Sequence, residues 1–143
     1  MEDILIEKQT AVNEPIKQYI PGSKERHSLQ SKLKDMENNY YKIPIIIGGK
    51  EIYTGNIGTC KKPHNHKHIL GEYHKAGKKE VEQAISASRN AGKSWSATPL
   101  IKRTSIFRKA AELLAGPWRD TINAATMLNQ SKNVYQSEID SSC

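Results

Sequence analysis

The residues best able to do chemistry lie in one short run, Cys60-Lys-Lys-Pro-His64-Asn-His66-Lys-His68, with His74 following closely. Residues two apart on a strand face the same way, so an H-x-H pair can present two imidazoles to zinc or iron. Cys60 beside these histidines could also be a nucleophile, because a thiolate needs a depressed pKa and a base within reach. The neighbouring residues support a plainer reading. Pro63 and Asn65 favour a turn over a regular strand, no nearby carboxylate completes or orients a ligand set, and Lys61-Lys62 read as surface charges. The expectation is a solvated turn leading into a strand, with no metal bound and a structural Cys60.

Other signals for a site are sparser. Gly48-Gly49 lacks the G-x-G-x-x-G spacing that lets a backbone approach a pyrophosphate, so it reads as a hairpin turn. No P-loop and no G-x-S-x-G occurs. Glu80 and Glu82 fall on adjacent rather than facing helix positions and read as solvated, not as an acid/base pair. No catalytic, cofactor-binding or metal-binding set is therefore expected within the chain.

The elements that would position these residues can be read from punctuation and period. Residues 1–22 look like an extended arm, broken by Pro15 and Pro21-Gly22. Ser23 is a plausible N-cap for a helix whose narrow apolar stripe is Leu29, Leu33 and Met36. Ile45-Ile-Ile47, closed by Gly48-Gly49 and followed by Glu51 to Thr54, reads as an antiparallel hairpin, with a second turn at Gly55-Asn56 and a further strand over His68 to Tyr73. From Lys79 the period changes to about 3.6 residues, placing Val81, Ala84, Ile85, Ser88 and Trp95 on one side of a first core helix. A second helix follows, with Thr98 as N-cap, Pro99 at the first helical position and Phe107, Ala110, Ala111 and Leu114 on its apolar side, ended by Gly116-Pro117. A third, Asp120 to Asn129, would turn Ile122, Ala125 and Leu128 inward, and a fourth starts near Val134 and carries Ile139. The sequence reaches Cys143 without Gly, Pro or other capping chemistry, which reads as a chain truncated within a helix, so that residues 23–143 form the opening part of a larger domain.

Composition narrows the class. A hydrophobic share of 36% is lean for a self-contained globule of 143 residues but is not that of a disordered chain. The net charge of +7 would suit an anionic partner. The cations, however, alternate with acids: Lys24, Arg26, Lys32 and Lys34 sit among Glu25, Asp35 and Glu37, a solvated pattern rather than a phosphate track. Two distant cysteines and an opening stretch carrying Glu2, Asp3 and Glu7 point to a reducing, cytoplasmic setting, and no window approaches the roughly 20 apolar residues of a membrane span.

Taken in order, an Ile-Gly-Gly-Lys hairpin, a strand ending near Tyr73-His74 and helices reading Glu80-Val-Glu-Gln-Ala-Ile85, Arg103 to Leu114 and Ala124 to Gln130 resemble the opening of the aldehyde dehydrogenase superfamily. Asn13-Glu14-Pro15, Pro63-His64-Asn65-His66, Leu113-Leu-Ala-Gly-Pro117, Met127-Leu-Asn-Gln-Ser-Lys132 and Gln136-Ser-Glu-Ile-Asp140 resemble its pyrroline-5-carboxylate dehydrogenase branch in particular. The resemblance implies an α/β parent with a Rossmann-like NAD domain, a catalytic domain and a β-flap used in oligomerisation. This chain would be its N-terminal arm and helix, a short antiparallel hairpin and three to four helices. It further implies an NAD-dependent, homo-oligomeric parent that oxidises a small aldehyde, L-glutamate γ-semialdehyde, to glutamate in proline catabolism. Neither nucleic acid nor membrane is expected as a partner, from the interleaved charges and the lack of an apolar span. The family's nucleophile stands in a Gly-Gln-x-Cys context and its base in a Glu-Leu-Gly-Gly-like context. Neither occurs here, so the fragment itself is expected to be inactive and no site residue carries over. The alternatives are a free-standing basic module for an acidic protein or nucleic acid, and a small metalloprotein built on the histidine turn.

Overall fold

The structure, a computed structural model, describes residues 12–143. The arm expected over residues 1–22 thus lies in part outside the described residues; from residue 12 to residue 20 the chain carries no helix or strand. Pro21-Gly22 then make a turn, with Gly22 at φ +81°, a conformation open to a residue without Cβ. Ser23 caps α1 (Lys24–Asn38) by accepting a hydrogen bond on Oγ from the Arg26 amide at 3.3 Å. The stripe Leu29, Leu33 and Met36 faces inward as expected, with Leu29 buried and the other two packed against it.

Five strands follow, two of which the periodicity did not signal. β2 (Ile45–Ile47) and β3 (Lys50–Ile52) form the expected antiparallel hairpin, and Gly48 and Gly49 both adopt positive φ, +57° and +77°, as a two-residue primed turn demands. The strand expected over His68 to Tyr73 is longer, β5 (Asn65–His74), and it is the centre of a separate three-stranded sheet of order β1-β5-β4. β1 (Tyr41–Ile43) runs parallel to it and β4 (Ile57–Lys62) antiparallel. At Gly71 the two backbones come so close that a Cβ would strike the Tyr41 carbonyl, so the β1–β5 pairing needs glycine there.

The helices depart from expectation in which side they bury. α2 (Lys78–Ala97) was expected to be a core helix, yet neither α2 nor α3 (Leu100–Ala115) buries a single residue. Thr98 is not the N-cap of α3 but the end of α2: its hydroxyl donates to the Ser94 carbonyl at 2.9 Å and its amide to the Trp95 carbonyl at 3.1 Å, and Pro99 takes the cap position of α3. α4 (Arg119–Gln130) buries Arg119, Asn123, Ala124 and Leu128, while Ile122 and Ala125 are only half-buried. Its inner face is turned by about one position from the apolar stripe because it must carry polar groups inward. α5 (Val134–Ser142) opens with a reciprocal cap between Asn133 and Gln136 and buries Ser137 and Glu138, leaving Ile139 half-buried. α1 packs on α4 and α4 on α5, around a small core of Tyr19, Leu29 and Ala124.

Candidate functional site

The most organised cluster of polar side chains is buried where the arm, α4 and α5 meet. Arg119 and Asn123 lie one helical turn apart on α4, so they share a face, and that face meets Glu138 on α5. The Glu138 carboxylate accepts from the Lys17 amide at 2.7 Å and from Arg119 Nη2 on one oxygen. On the other it accepts from the Tyr19 hydroxyl at 2.7 Å, Asn123 Nδ2 at 2.8 Å and Arg119 Nε at 3.3 Å. Arg119 also donates to the Pro15 carbonyl at 2.7 Å, and Asn123 Oδ1 accepts from Ser141. Burial alone would push the Glu138 carboxyl up. The Arg119 guanidinium and the bonds from Lys17, Tyr19 and Asn123 together outweigh it and hold the carboxyl below its usual range. Burial, and then the Glu138 carboxylate, drive the Tyr19 phenol far above its usual value.

A carboxylate so fully donated to has little capacity left to act as a base, and no nucleophile stands beside it. What the arrangement does is fasten the arm: both the backbone and the side chains of residues 15–19 are tied to a single ion pair. Only the i, i+4 placement of Arg119 and Asn123 on an otherwise apolar face could have signalled it in the sequence.

The residues singled out by type do not come together. His64 sits in the β4–β5 turn with Nδ1 2.7 Å from Ser131 Oγ, His68 Nε2 donates to the Glu37 carbonyl at 3.0 Å, and His66 is exposed. His74 Nδ1 accepts from the amides of Thr54 and Gly55 at 3.0 and 3.3 Å. Among the described residues no three His, Cys, Asp or Glu side chains form a group that could hold a metal ion. Cys60 is half-buried and lines an apolar cavity of about 340 Å³ between α1, the sheet and α4, together with Met36, Leu70 and Leu128. No histidine or carboxylate lines that cavity, so it holds no base for the thiol.

Two charge assignments need correction. Lys62 is not a surface charge: only 3% of it is exposed and its ammonium pairs with Glu37, whose carboxyl it holds below the usual range. Glu80 is not simply solvated, since its carboxylate accepts from the Gly77 amide at 2.8 Å and closes the start of α2. Glu82 remains exposed, 3.9 Å from Lys78. Side chains cap the starts of α1 (Ser23) and α5 (Asn133), and Glu80 takes the Gly77 amide at the start of α2, whereas α3 and α4 carry no side-chain cap. None of the five is opened by a run of glycines of the kind that cradles a pyrophosphate, and Gly48-Gly49 is a hairpin turn.

Comparison with known proteins covers nearly the whole chain. Residues 55–142 match the aldehyde dehydrogenase family. A Schizosaccharomyces pombe protein named as a probable delta-1-pyrroline-5-carboxylate dehydrogenase is 43% identical over 90% of this chain and 24% of its own length. The human mitochondrial delta-1-pyrroline-5-carboxylate dehydrogenase is 40% identical over 90% of this chain and 23% of its own length. The delta-pyrroline-5-carboxylate dehydrogenase of Mycobacterium tuberculosis, solved bound with NAD, superposes with a TM-score of 0.94 at 39% identity, covering 99% of this chain and 26% of that one. The chain thus spans about a quarter of the length of the relatives it matches.

Proposed function

From the premise that this chain belongs to the aldehyde dehydrogenase family, we propose that it serves as the N-terminal quarter of an NAD-dependent dehydrogenase that oxidises L-glutamate γ-semialdehyde, formed from 1-pyrroline-5-carboxylate, to L-glutamate. The observation that carries the proposal is the likeness to the M. tuberculosis enzyme, which holds over 99% of the chain at 39% identity. Covalent aldehyde oxidation needs an activated thiolate, a base to deacylate it and a pocket that holds nicotinamide, the hydride acceptor, against the substrate. In this reading all three come from residues outside this chain, and the chain supplies support. Residues 1–22 are the arm and residues 23–143 part of the dehydrogenase domain, with the Arg119–Glu138 pair locking one to the other.

The parent acts on a small aldehyde and assembles as a homo-oligomer in this proposal, with no nucleic acid and no membrane as partner. Cations interleaved with acids on α1 support the former point. No helix among the described residues is long and apolar enough to cross a membrane. A cytoplasmic compartment is supported by the two free cysteines, Cys60 and Cys143.

The test measures NADH formation from the semialdehyde by the 143-residue protein and by a chimaera in which it replaces the matching quarter of the M. tuberculosis enzyme. The expected result is no turnover by the chain alone and turnover of the parent's order by the chimaera. A folded but inactive chimaera defeats the assignment. So does turnover by the short chain that disappears on Cys60→Ser.

A further inference from the structure

The polar cluster at Glu138 has the form of a receptor for a length of chain. Arg119 donates to the Pro15 carbonyl at 2.7 Å and Glu138 accepts from the Lys17 amide at 2.7 Å. These are backbone groups two residues apart, so neither contact depends on the side chains carried there. Side-chain identity enters at Tyr19, whose ring shares a buried cluster with Leu29 and Ala124 and whose hydroxyl donates to Glu138 at 2.7 Å. Main-chain pairing combined with a side-chain anchor is how folded domains hold peptides. Of residues 12–22 only Tyr19 is buried, so little else fastens the segment. The receptor itself belongs to α1, α4 and α5, which pack α1 on α4 and α4 on α5 through contacts that do not involve the arm.

The arm reaches this receptor within one molecule only by a sharp reversal. Tyr19 at φ +49° and Gly22 at φ +81° bracket a turn that the Ser23 amide closes on the Ile20 carbonyl at 3.1 Å. Side chains other than glycine rarely adopt the first conformation, and short connections under strain favour exchange of an element between copies. Opening the turn costs that one backbone hydrogen bond, and a second molecule offers an identical receptor. We propose that the arm is exchanged between two copies of this chain, residues 15–19 of each seated on the Arg119–Glu138 pair of the other in a closed two-fold dimer. The proposal does not depend on the reaction assigned to the parent.

The test uses the 143-residue chain in native mass spectrometry and sedimentation velocity. Glu138→Gln spoils the receptor and keeps the arm, whereas Tyr19→Ala spoils the arm and keeps the receptor. Neither variant can form the site, within one molecule or between two, but a mixed pair holds one intact arm on one intact receptor. Each variant alone should be monomeric, and the mixture should give heterodimer in excess over either homodimer. A mixture that stays monomeric overturns the exchange. So does a double variant, Tyr19→Ala with Glu138→Gln, that dimerises with itself as readily as the mixture does, since the contact is then an exposed face. If Glu138→Gln does not fold, Gly22→Ala carries the test. A Cβ at Gly22 meets open space, so the substitution penalises only the positive φ of the closed turn. Relative to the unsubstituted chain, the dimer dissociation constant should fall by at least about tenfold. An unchanged or higher constant, or no dimer of either protein, overturns the proposal.

Discussion

At the residue scale the decisive feature is that one buried carboxylate, Glu138, organises groups from three parts of the chain. Removing one partner of a buried ion pair leaves the other uncompensated, so Glu138→Gln should cost about 3–5 kcal/mol in urea unfolding. It should also speed exchange of the Lys17 amide, which loses its acceptor. The pH dependence has a definite sign. Because the folded carboxyl ionises below its ordinary value, the unfolded chain binds more protons, and stability rises with pH across that interval. The contribution of Glu138 should be complete above about pH 4.3, its unfolded value, and be lost as pH falls through the lower folded value. A flat unfolding free energy from pH 5 to 2, or a Lys17 amide unaffected by Glu138→Gln, would remove Glu138 from this role. The type and spacing of residues directed attention to the histidine run instead, since chemistry-bearing residues are conspicuous whether or not they converge. Ion pairs such as Arg119 with Glu138 and Lys62 with Glu37 are invisible until the chain is folded.

At the scale of elements, helices and tight turns were legible and the sheet largely was not. Ser23, Gly48-Gly49 and Gly116 mark boundaries through backbone geometry that neighbouring residues dictate. β1 and β4 carry no such mark. A three-residue strand has no period to read, and Cys60-Lys-Lys62 alternates poorly; both are strands because β5 lies between them. Thr98 was misassigned because the hydroxyl that suits an N-cap can equally bond back to a carbonyl four residues earlier, and here it does. The glycines of the sheet offer a test. At Gly71 an added methyl meets the Tyr41 backbone, which cannot yield without breaking β1–β5, whereas at Gly58 it meets the Tyr73 ring, a half-exposed side chain free to swing. Gly71→Ala should therefore exceed the roughly 1–3 kcal/mol typical of overpacking, and Gly58→Ala should stay at or below it. Equal thermal shifts for the two variants would show that the β1–β5 approach is not the tight one.

Across the whole molecule the buried apolar core is slight beside the apolar surface left bare, since only Tyr19, Leu29, Leu70, Ala124 and Leu128 are buried hydrophobics among the described residues. The isolated chain should therefore be marginally stable, bind ANS and unfold over a broad range. A sharp, cooperative transition of a monomer that binds no dye would count against this. Composition anticipated such leanness, and motif order along the chain was enough to identify the family, because both are properties of the chain as written. Helix periods and turn residues were likewise readable, since hydrogen bonds between residues four apart and the torsional limits of glycine and proline are local. Which faces are covered was not. A stripe such as Val81, Ile85 and Trp95 looks the same in sequence whether or not anything packs on it, and the hydrogen bond between Tyr19 and Glu138 joins residues 119 positions apart. Only the tertiary structure could decide these points, because burial and charge pairing depend on which distant segments meet, and no local period records that.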